Sequence, residues 1–274
     1  MTLFRCLAVA LLLGLGVPAQ ALPTAASVPG GVALIRLGAV SADGVAPRAR
    51  FAEQPVWVAA QNGQWVAVVG LALDLAPGNH ELTVDDGSGE RKLAFAVSAK
   101  RYPEQRITLK DTRRVTLAED DAARAVAEIA AIGEIKRHWR ETPDTDGDFS
   151  LPAKGRLASR FGLRRFFNGE ARAPHSGLDV AVGRGTPIAA SAPGQVLAVG
   201  DYFFNGRTVF VDHGNGLISM YCHLERIDVA AGDAVARGQR LGSAGMSGRA
   251  SGPHLHWSVI LNGTTVDPEL FVER

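Results

Sequence analysis

Two short segments of this sequence carry side chains that could bind one metal ion together. His175 and Asp179 lie four residues apart, and His254 and His256 lie two residues apart near the C-terminus. Neutral imidazole nitrogens and carboxylate oxygens are ligands that zinc accepts, and three of them leave the fourth tetrahedral position free for water. We therefore predict an open zinc site, for which the residues alone do not choose between His254 and His256.

The spacing of these side chains fits strands that present them on one face. Residues separated by an even number share a face of an extended chain, so each pair would point into a common groove. Leu255 and Trp257 would then point the opposite way, into a hydrophobic core. Each histidine could instead be an isolated surface or core residue, but five of the seven histidines fall within residues 175–256, which favours a shared site.

The first 21 residues have the pattern of a secretory signal peptide. Arg5 precedes an apolar run, and the segment closes with Ala19, Gln20 and Ala21, a small-residue cleavage pattern. Cys6 has no lipobox context, so a lipid anchor is not predicted; an uncleaved N-terminal anchor is the alternative. No later segment is apolar enough to span a membrane, and we expect a periplasmic or secreted protein.

Charge and cysteine content exclude two broad classes of protein. Removal of residues 1–21 takes away one basic and no acidic residue, which leaves 28 of each and no net charge. Nucleic-acid binding is therefore not expected, because it depends on an excess of basic residues. Cys222 is the only cysteine outside the predicted signal peptide, so stability must come from core packing rather than from an internal disulfide.

Residues 22–114 are predicted to form a small antiparallel β-sandwich of general Ig-like plan. Short alternating or apolar runs are separated by turn signals such as Asn62-Gly63. Strands are expected at residues 32–37, 55–59, 65–69, 80–84 and 92–97. This segment carries no predicted chemistry, so it could bind substrate, hold a regulatory protein partner, or obstruct the groove of the second domain.

Residues 115–150 are predicted to form a connecting helix followed by an acidic linker. Apolar residues recur near helical spacing over residues 117–140, at Ala122, Val126, Ile129, Ile132 and Trp139. The acidic segment 141–150 loosely resembles a calcium loop but lacks the terminal glutamate. We therefore predict a solvated linker there, with a domain boundary inside it.

Residues 151–274 are predicted to form a compact antiparallel β domain that holds the zinc groove. Strand patterns cover residues 195–199, 208–211, 217–221 and 256–260, and Asn-Gly pairs mark three turns. One of these pairs, Asn262-Gly263, also begins a glycosylation sequon, which we interpret as a hairpin turn. The whole chain is thus predicted to be all-β with a single connecting helix.

The C-terminal residues also carry a resemblance to a known family. The matching blocks are Ser159-Arg-Phe-Gly162, His175-Ser-Gly-Leu-Asp179, Gly185-Thr-Pro-Ile-Ala189, Asp212-His-Gly-Asn-Gly216, Tyr221-Cys-His-Leu224 and Ser251-Gly-Pro-His-Leu-His256. In this order, within residues 155–271, they resemble the lysostaphin and LytM-type zinc endopeptidases, which cut peptide cross-links of bacterial peptidoglycan.

The resemblance implies roles for five residues. Matched position by position, the Zn2+ ligands would be His175, Asp179 and His256. The unliganded catalytic pair would be His223 and His254, although the residues alone do not favour His223 over His213. The implied mechanism has zinc activate a water that one of the pair deprotonates, while the other, protonated, stabilises the oxyanion and donates to the departing amine. Both would need a pKa near the working pH.

Two positions depart from the family pattern. Cys222 replaces the alanine common in the Tyr-Ala-His-Leu block. Strand alternation turns Cys222 away from the groove, so we predict a buried small residue rather than a thiol ligand. Ser258 stands where relatives often have glutamate, which affects the surroundings of the ligands rather than the ligand set.

The function that follows is a secreted zinc-dependent endopeptidase acting on peptidoglycan cross-links, expected to be D-Ala to diaminopimelate bonds. The alternative is a non-catalytic cell-wall regulator of the same fold that activates an amidase. Such regulators lose the metal residues, whereas all five positions are intact here. A lipoyl-type carrier is excluded because no lysine follows Lys154.

Overall fold

A computed structural model describes residues 21–108 and 118–272 of the chain. The predicted signal peptide lies outside the described residues, except for Ala21. Within the two described ranges, no helix is both long enough and apolar enough to cross a membrane.

The N-terminal region is one antiparallel sheet of six strands that curls into a near-barrel. The strands are β1 (Val32–Ala39), β2 (Arg48–Phe51), β3 (Gln54–Gln61), β4 (Gln64–Gly70), β5 (Gly78–Asp85) and β6 (Glu90–Val97). They are hydrogen-bonded in the order β1-β4-β3-β2-β5-β6. Five of them cover the predicted strand segments, and β2 is an additional strand.

Strand β3 explains why this sheet does not separate into the two layers of the expected Ig-like sandwich. Its first residues, as far as Val56, pair with β2, whereas the residues from Trp57 onward pair with β4. One strand therefore belongs to both halves of the sheet and joins them. The side chains of Trp65, Leu71 and Leu82 fill the enclosed core.

The segment between the two main sheets adds one strand and the connecting helix. Strand β7 (Glu104–Ile107) lies parallel to β9 (Arg164–Phe167), which also pairs with β10 (Glu170–Ala171) in a small sheet of three strands. The helix is α1 (Glu119–Lys136). It lies inside the predicted helical range, so the existence and place of the connecting helix agree with the sequence pattern.

The buried face of α1 shares only Ile132 with the stripe that the apolar spacing predicted. Ala125 and Ile132 are buried, whereas Val126 and Ile129 are 69% and 59% exposed. Ala125 and Ile132 are seven residues apart, close to two helical turns, so they share one face. Packing against the neighbouring sheet selects this face rather than the more apolar one beside it.

The acidic segment expected to be a solvated linker packs against the C-terminal domain instead. Thr145 and Phe149 are buried. The carboxylates of Asp146 and Asp148 contact the guanidinium of Arg237 at 2.8 and 3.1 Å. These carboxylates pair with a cationic side chain, so the segment serves as a packed connection and not as a solvated one.

The C-terminal region is built on a ten-stranded antiparallel sheet. Its strands are β8 (Arg156–Ser159), β11 (Leu178–Ala181), β12 (Pro187–Ala189), β13 (Gly194–Tyr202), β14 (Gly206–Gly214), β15 (Leu217–Ile227), β16 (Ala234–Val235), β17 (Arg240–Ala244), β18 (Leu255–Leu261) and β19 (Thr264–Val266), before a short 3-10 helix at Pro268–Leu270. The main order is β16-β13-β14-β15-β18-β11-β8; β17 pairs with β12 and β15, and β19 pairs with β18. The predicted all-β class with one connecting helix is confirmed.

The two faces of this sheet pack differently. Leu255 and Trp257 point into a core that continues into the N-terminal region through Trp57, as their alternation predicted. The opposite face carries Cys222 and packs beneath Ile132 of α1. Asp179 and His256 lie on this second face, in register with Cys222.

Asn262 links the N-terminal and C-terminal regions through hydrogen bonds. It lies in the turn between β18 and β19 with a φ of 40°. Its Oδ1 accepts the Gly70 N–H at 2.6 Å, and its Nδ2 donates to the Gly70 carbonyl at 3.2 Å. The side chain is buried, which agrees with its interpretation as a turn rather than a glycosylation site.

Candidate metal centre

Strand register brings the three predicted ligands together from distant parts of the chain. Asp179 in β11 lies directly opposite His256 in β18, and opposite residues of antiparallel strands share a face. His175 lies just before β11, where its N–H donates to the Leu163 carbonyl and its carbonyl accepts the Gly162 N–H. The approach of the imidazole to Asp179 therefore depends on the loop that precedes β9.

The ligand atoms converge closely. Asp179 Oδ1 lies 2.9 Å from His175 Nε2 and 3.0 Å from His256 Nδ1, and the two nitrogens are 3.0 Å apart. The side chains of His175, Asp179 and His256 are 8%, 13% and 12% exposed, so little of the cluster meets solvent. Among the described residues, this is the one group of three or more metal-binding side chains with such convergence.

The ring nitrogens of His175 and His256 that point away from Asp179 help to decide what the cluster can bind. His175 Nδ1 lies 3.0 Å from the Arg160 carbonyl, to which it must donate, and His256 Nε2 lies 3.0 Å from Ser258 Oγ. A serine hydroxyl can accept or donate, so the ring proton of His256 can occupy either nitrogen; when it lies on Nε2, both inner nitrogens direct lone pairs at each other and at Asp179. Three converging acceptors repel unless a cation or a proton lies between them, so the donor set fits zinc.

Asp179 is held in its ionised form. Burial alone would raise the pKa of this carboxyl, but in the metal-free site hydrogen bonds and charge from His175 and His256 outweigh burial and hold its pKa well below the usual range. A carboxylate must be deprotonated to bind a metal ion. The surroundings of Asp179 therefore already favour the state that a ligand needs.

His223 and His254 lie beside this cluster. Their ring centroids are 4.7 Å apart, and His254 Nε2 is 3.8 Å from Asp179 Oδ1. His223 Nδ1 lies 2.9 Å from the Ser247 carbonyl, and His254 Nδ1 lies 2.8 Å from the Gly252 carbonyl. Because carbonyls only accept, each Nδ1 carries the proton, which leaves the Nε2 of each neutral ring able to accept another.

His223 differs from expectation in its backbone and its pKa. Its φ is 62°, a left-handed conformation that interrupts strand alternation, and its ring lies 6.0 Å from that of His256. Burial, followed by the charges of His256 and His254, lowers the pKa of His223 from 6.5 to about 4. It is therefore neutral at pH 7, and the expectation of a pKa near the working pH does not hold for this residue.

The prediction that Cys222 turns away from the groove is wrong. Cys222 lies directly opposite His256 in the adjacent strand, so the two share a face. It is fully buried beneath Ile132 and Met220, and burial raises the pKa of its thiol to about 12. A neutral thiol is a poor ligand. Cys222 is therefore a small buried residue, as predicted, but it lies on the face that carries His256.

His213 is separated from the site by the fold. It is buried, with Nδ1 2.7 Å from the Pro193 carbonyl and Nε2 2.7 Å from Ser219 Oγ. Burial lowers the pKa of His213 to about 4. Both nitrogens are occupied by core partners, so the structure distinguishes His213 from His223, which the residues alone could not do.

Sequence reasoning did not identify the groups that orient the imidazoles. Three of them are backbone carbonyls, of Arg160, Ser247 and Gly252, and a carbonyl has no signal in the sequence. The fourth is the Ser258 hydroxyl, which was visible only as a departure from the glutamate of relatives. Its oxygen can accept the proton of His256 Nε2 and so permits the tautomer that a metal needs.

Known proteins match both regions of the chain. Residues 173–268 match Peptidase family M23, and residues 25–100 match the Peptidase family M23 N-terminal domain. Peptidoglycan DD-endopeptidase ShyA of Vibrio cholerae is 39% identical over 120 residues, which cover 43% of this chain and 28% of ShyA. DD-carboxypeptidase/endopeptidase Mpg of Neisseria meningitidis is 37% identical over 113 residues, 41% of this chain and 26% of Mpg. The match thus spans less than a third of either relative.

A solved structure extends the likeness to almost the whole chain. A protein of Pseudomonas aeruginosa assigned to peptidase M23 is 41% identical, with a TM-score of 0.76. The alignment covers 90% of this chain and 95% of that one, so it includes both the near-barrel and the ten-stranded sheet. This chain therefore belongs to peptidase family M23.

Proposed function

We propose that this protein is a secreted zinc-dependent endopeptidase that hydrolyses peptide cross-links of bacterial peptidoglycan. The observation that carries the proposal is the convergence of Asp179 Oδ1, His175 Nε2 and His256 Nδ1, which lie within 3.0 Å of one another, beside two imidazoles that can each accept a proton at Nε2. The relative ShyA is named a peptidoglycan DD-endopeptidase, which supports the substrate class. The proposed scissile bond joins D-Ala to diaminopimelate.

The five side chains divide into two roles. The proposed ligands are His175, Asp179 and His256. Zinc held there would supply Lewis-acid chemistry at the scissile carbonyl. His223 is neutral, and its Nε2 would accept the proton of the attacking water. His254, held through Nδ1 by the Gly252 carbonyl, would in its protonated form stabilise the oxyanion and donate its Nε2 proton to the departing amine.

The test combines metal analysis with digestion of purified sacculi. The wild-type protein is expected to contain one zinc and to release muropeptides cut at the cross-link, identified by mass spectrometry. His256→Ala is expected to lose zinc and activity, whereas His223→Ala should keep zinc and lose turnover. Full zinc content in purified His256→Ala would contradict the ligand assignment, and intact sacculi after treatment with zinc-loaded wild type would contradict the function.

A non-catalytic regulator of the same fold is the second candidate. It would stimulate a cell-wall amidase through protein contact, without zinc and without hydrolysis of its own. The complete ligand set favours the enzyme, because a regulator has no need of three converging ligand atoms. Stimulation of an amidase by a zinc-free wild-type protein that leaves sacculi intact would favour the regulator.

We further propose two domains, at residues 22–114 and 151–274, joined by the helix and acidic segment at residues 115–150, and a periplasmic or secreted location. A regulatory protein partner would bind through the N-terminal domain. Peptidoglycan lies outside the cytoplasm, which supports the location, and cell fractionation tests it. Recovery of the protein in the cytoplasmic fraction alone would contradict this proposal.

A further inference from the structure

Helix α1 contacts the edge of the candidate site, although it lies in neither matched family segment, since those segments are residues 25–100 and 173–268. The contact is made by Glu128, whose Oε2 accepts the N–H of Phe203 at 2.5 Å. Phe203 belongs to the turn between β13 and β14. An element outside both family segments thus holds a turn beside the histidines.

The same turn holds the backbone of His223. The Asn205 carbonyl accepts the N–H of His223 at 2.8 Å. His223 adopts a φ of 62°, which costs energy for a residue other than glycine and persists only when neighbouring groups enforce it. The turn and the Ser247 carbonyl, which binds the imidazole Nδ1, are the groups that do so.

Arg124, one turn earlier on α1, orients the Glu128 carboxylate. Its Nε lies 2.7 Å from Glu128 Oε1, and its terminal nitrogen donates to the Asp201 carbonyl at 3.2 Å. The guanidinium also lies 5.9 Å from the centre of the Phe203 ring. Each carboxylate oxygen therefore has its own partner, and hydrogen bonds to an ionised acceptor are stronger than neutral ones.

We propose that Glu128 is a positioning residue for His223 that acts through the turn at residues 203–205. Removal of the carboxylate leaves the Phe203 N–H without its acceptor, loosens the turn and allows the His223 backbone to relax. A misplaced proton acceptor lowers the rate of the chemical step more than it lowers substrate affinity. The metal ligands on β11 and β18 have no contact with Glu128, so zinc binding should not change.

The test compares Glu128→Ala with Glu128→Gln and with Glu134→Ala. The amide oxygen of glutamine can still accept the Phe203 N–H, so Glu128→Gln should retain the function of the carboxylate. Glu134 lies on the same helix, its side chain is 76% exposed, and it pairs with Arg137, which makes it a matched control. Three properties are measured in each variant: amide hydrogen exchange of Phe203 and His223, zinc content, and kcat and KM on a soluble cross-linked muropeptide.

In Glu128→Ala, exchange of both amides should accelerate about tenfold or more. The kcat should fall about ten- to a hundredfold at nearly constant KM and zinc content. In Glu128→Gln, the exchange rates and kcat should stay within about threefold of the wild-type values. Glu134→Ala should have the wild-type values. Unchanged exchange in Glu128→Ala, loss of its zinc, or equal defects in Glu128→Ala and Glu128→Gln would overturn the proposal.

The kinetic consequence rests on the proposed function, whereas the exchange measurement does not. If wild type fails to cut any muropeptide, the proposed function fails. Accelerated exchange confined to the turn and His223 would still support the positioning contact. If wild type is active and Glu128→Ala retains its kcat, the positioning role fails while the proposed function stands.

Discussion

Replacement of Ser258 by alanine is expected to weaken zinc binding with little loss of folding stability. Ser258 is fully buried, and its Oγ lies 3.0 Å from His256 Nε2. Zinc requires a lone pair on His256 Nδ1, which places the ring proton on Nε2. In Ser258→Ala that N–H would be buried opposite a methyl group, without an acceptor.

The size of the effect follows from the two tautomers of His256. Without zinc, the proton can move to Nδ1 and be donated to Asp179 Oδ1 at 3.0 Å, so no buried donor is left unpaired. The penalty for an unpaired buried donor, about 1–3 kcal/mol, therefore falls on the metal-bound state. This corresponds to zinc affinity weaker by about 5- to 150-fold.

Ser219→Ala is the matched control. Ser219 is equally buried, and its hydroxyl contacts His213 Nε2 at 2.7 Å and the Tyr221 hydroxyl at 2.9 Å. This pair packs on the core side of the sheet, away from the ligand cluster. The substitution should lower the free energy of unfolding by about 1–2 kcal/mol and leave zinc affinity unchanged.

The two variants are compared by competition with a chromophoric chelator for zinc and by urea unfolding of the metal-free proteins. The expected result is a crossed pattern, with affinity lost in Ser258→Ala and stability lost in Ser219→Ala. Zinc affinity of Ser258→Ala within twofold of wild type would refute the tautomer argument. An equal loss of affinity in Ser219→Ala would show that general loosening of the sheet is responsible.

Three further predictions concern stability. The pKa of His213 is lowered to about 4 in the fold. The stability that its neutral ring allows is therefore complete above about pH 6.5, and the free energy of unfolding falls by up to about 3 kcal/mol as the pH drops to 4. His213→Gln should make the urea midpoint less dependent on pH over this range, and an unchanged dependence would contradict this. Lys136 has no hydrogen-bond or ion-pair partner among the described residues, and burial lowers its pKa. Lys136→Met should therefore stabilise the fold by about 1 kcal/mol and raise the melting temperature. A lower melting temperature would contradict this. Asn262→Ala leaves both backbone groups of Gly70 unpaired and should cost about 2–4 kcal/mol in a denaturant titration, with a loss below 1 kcal/mol arguing against the contact.

Local patterns predicted the all-β class, the connecting helix and most strands of the N-terminal region. Strand alternation correctly directed Leu255 and Trp257 into the core, because the direction of successive side chains is a property of the strand itself. The same rule holds as far as Cys222, which shares the face of His256, and fails at His223, from which the orientation of Cys222 had been predicted. The left-handed φ of His223 interrupts the alternation, and the turn that stabilises this conformation lies near residue 205, outside the local pattern.

The sequence by itself determined which donor atoms are available and that they lie on short strands of an all-β domain. Residue type and spacing carry that information. The tertiary structure decided that Asp179 lies opposite His256, that His213 is a core residue, and which nitrogen of each imidazole faces the cluster. These outcomes depend on strand register and on backbone carbonyls such as those of Arg160 and Ser247. A carbonyl is common to every residue, so its position becomes informative only when the chain has brought distant segments together.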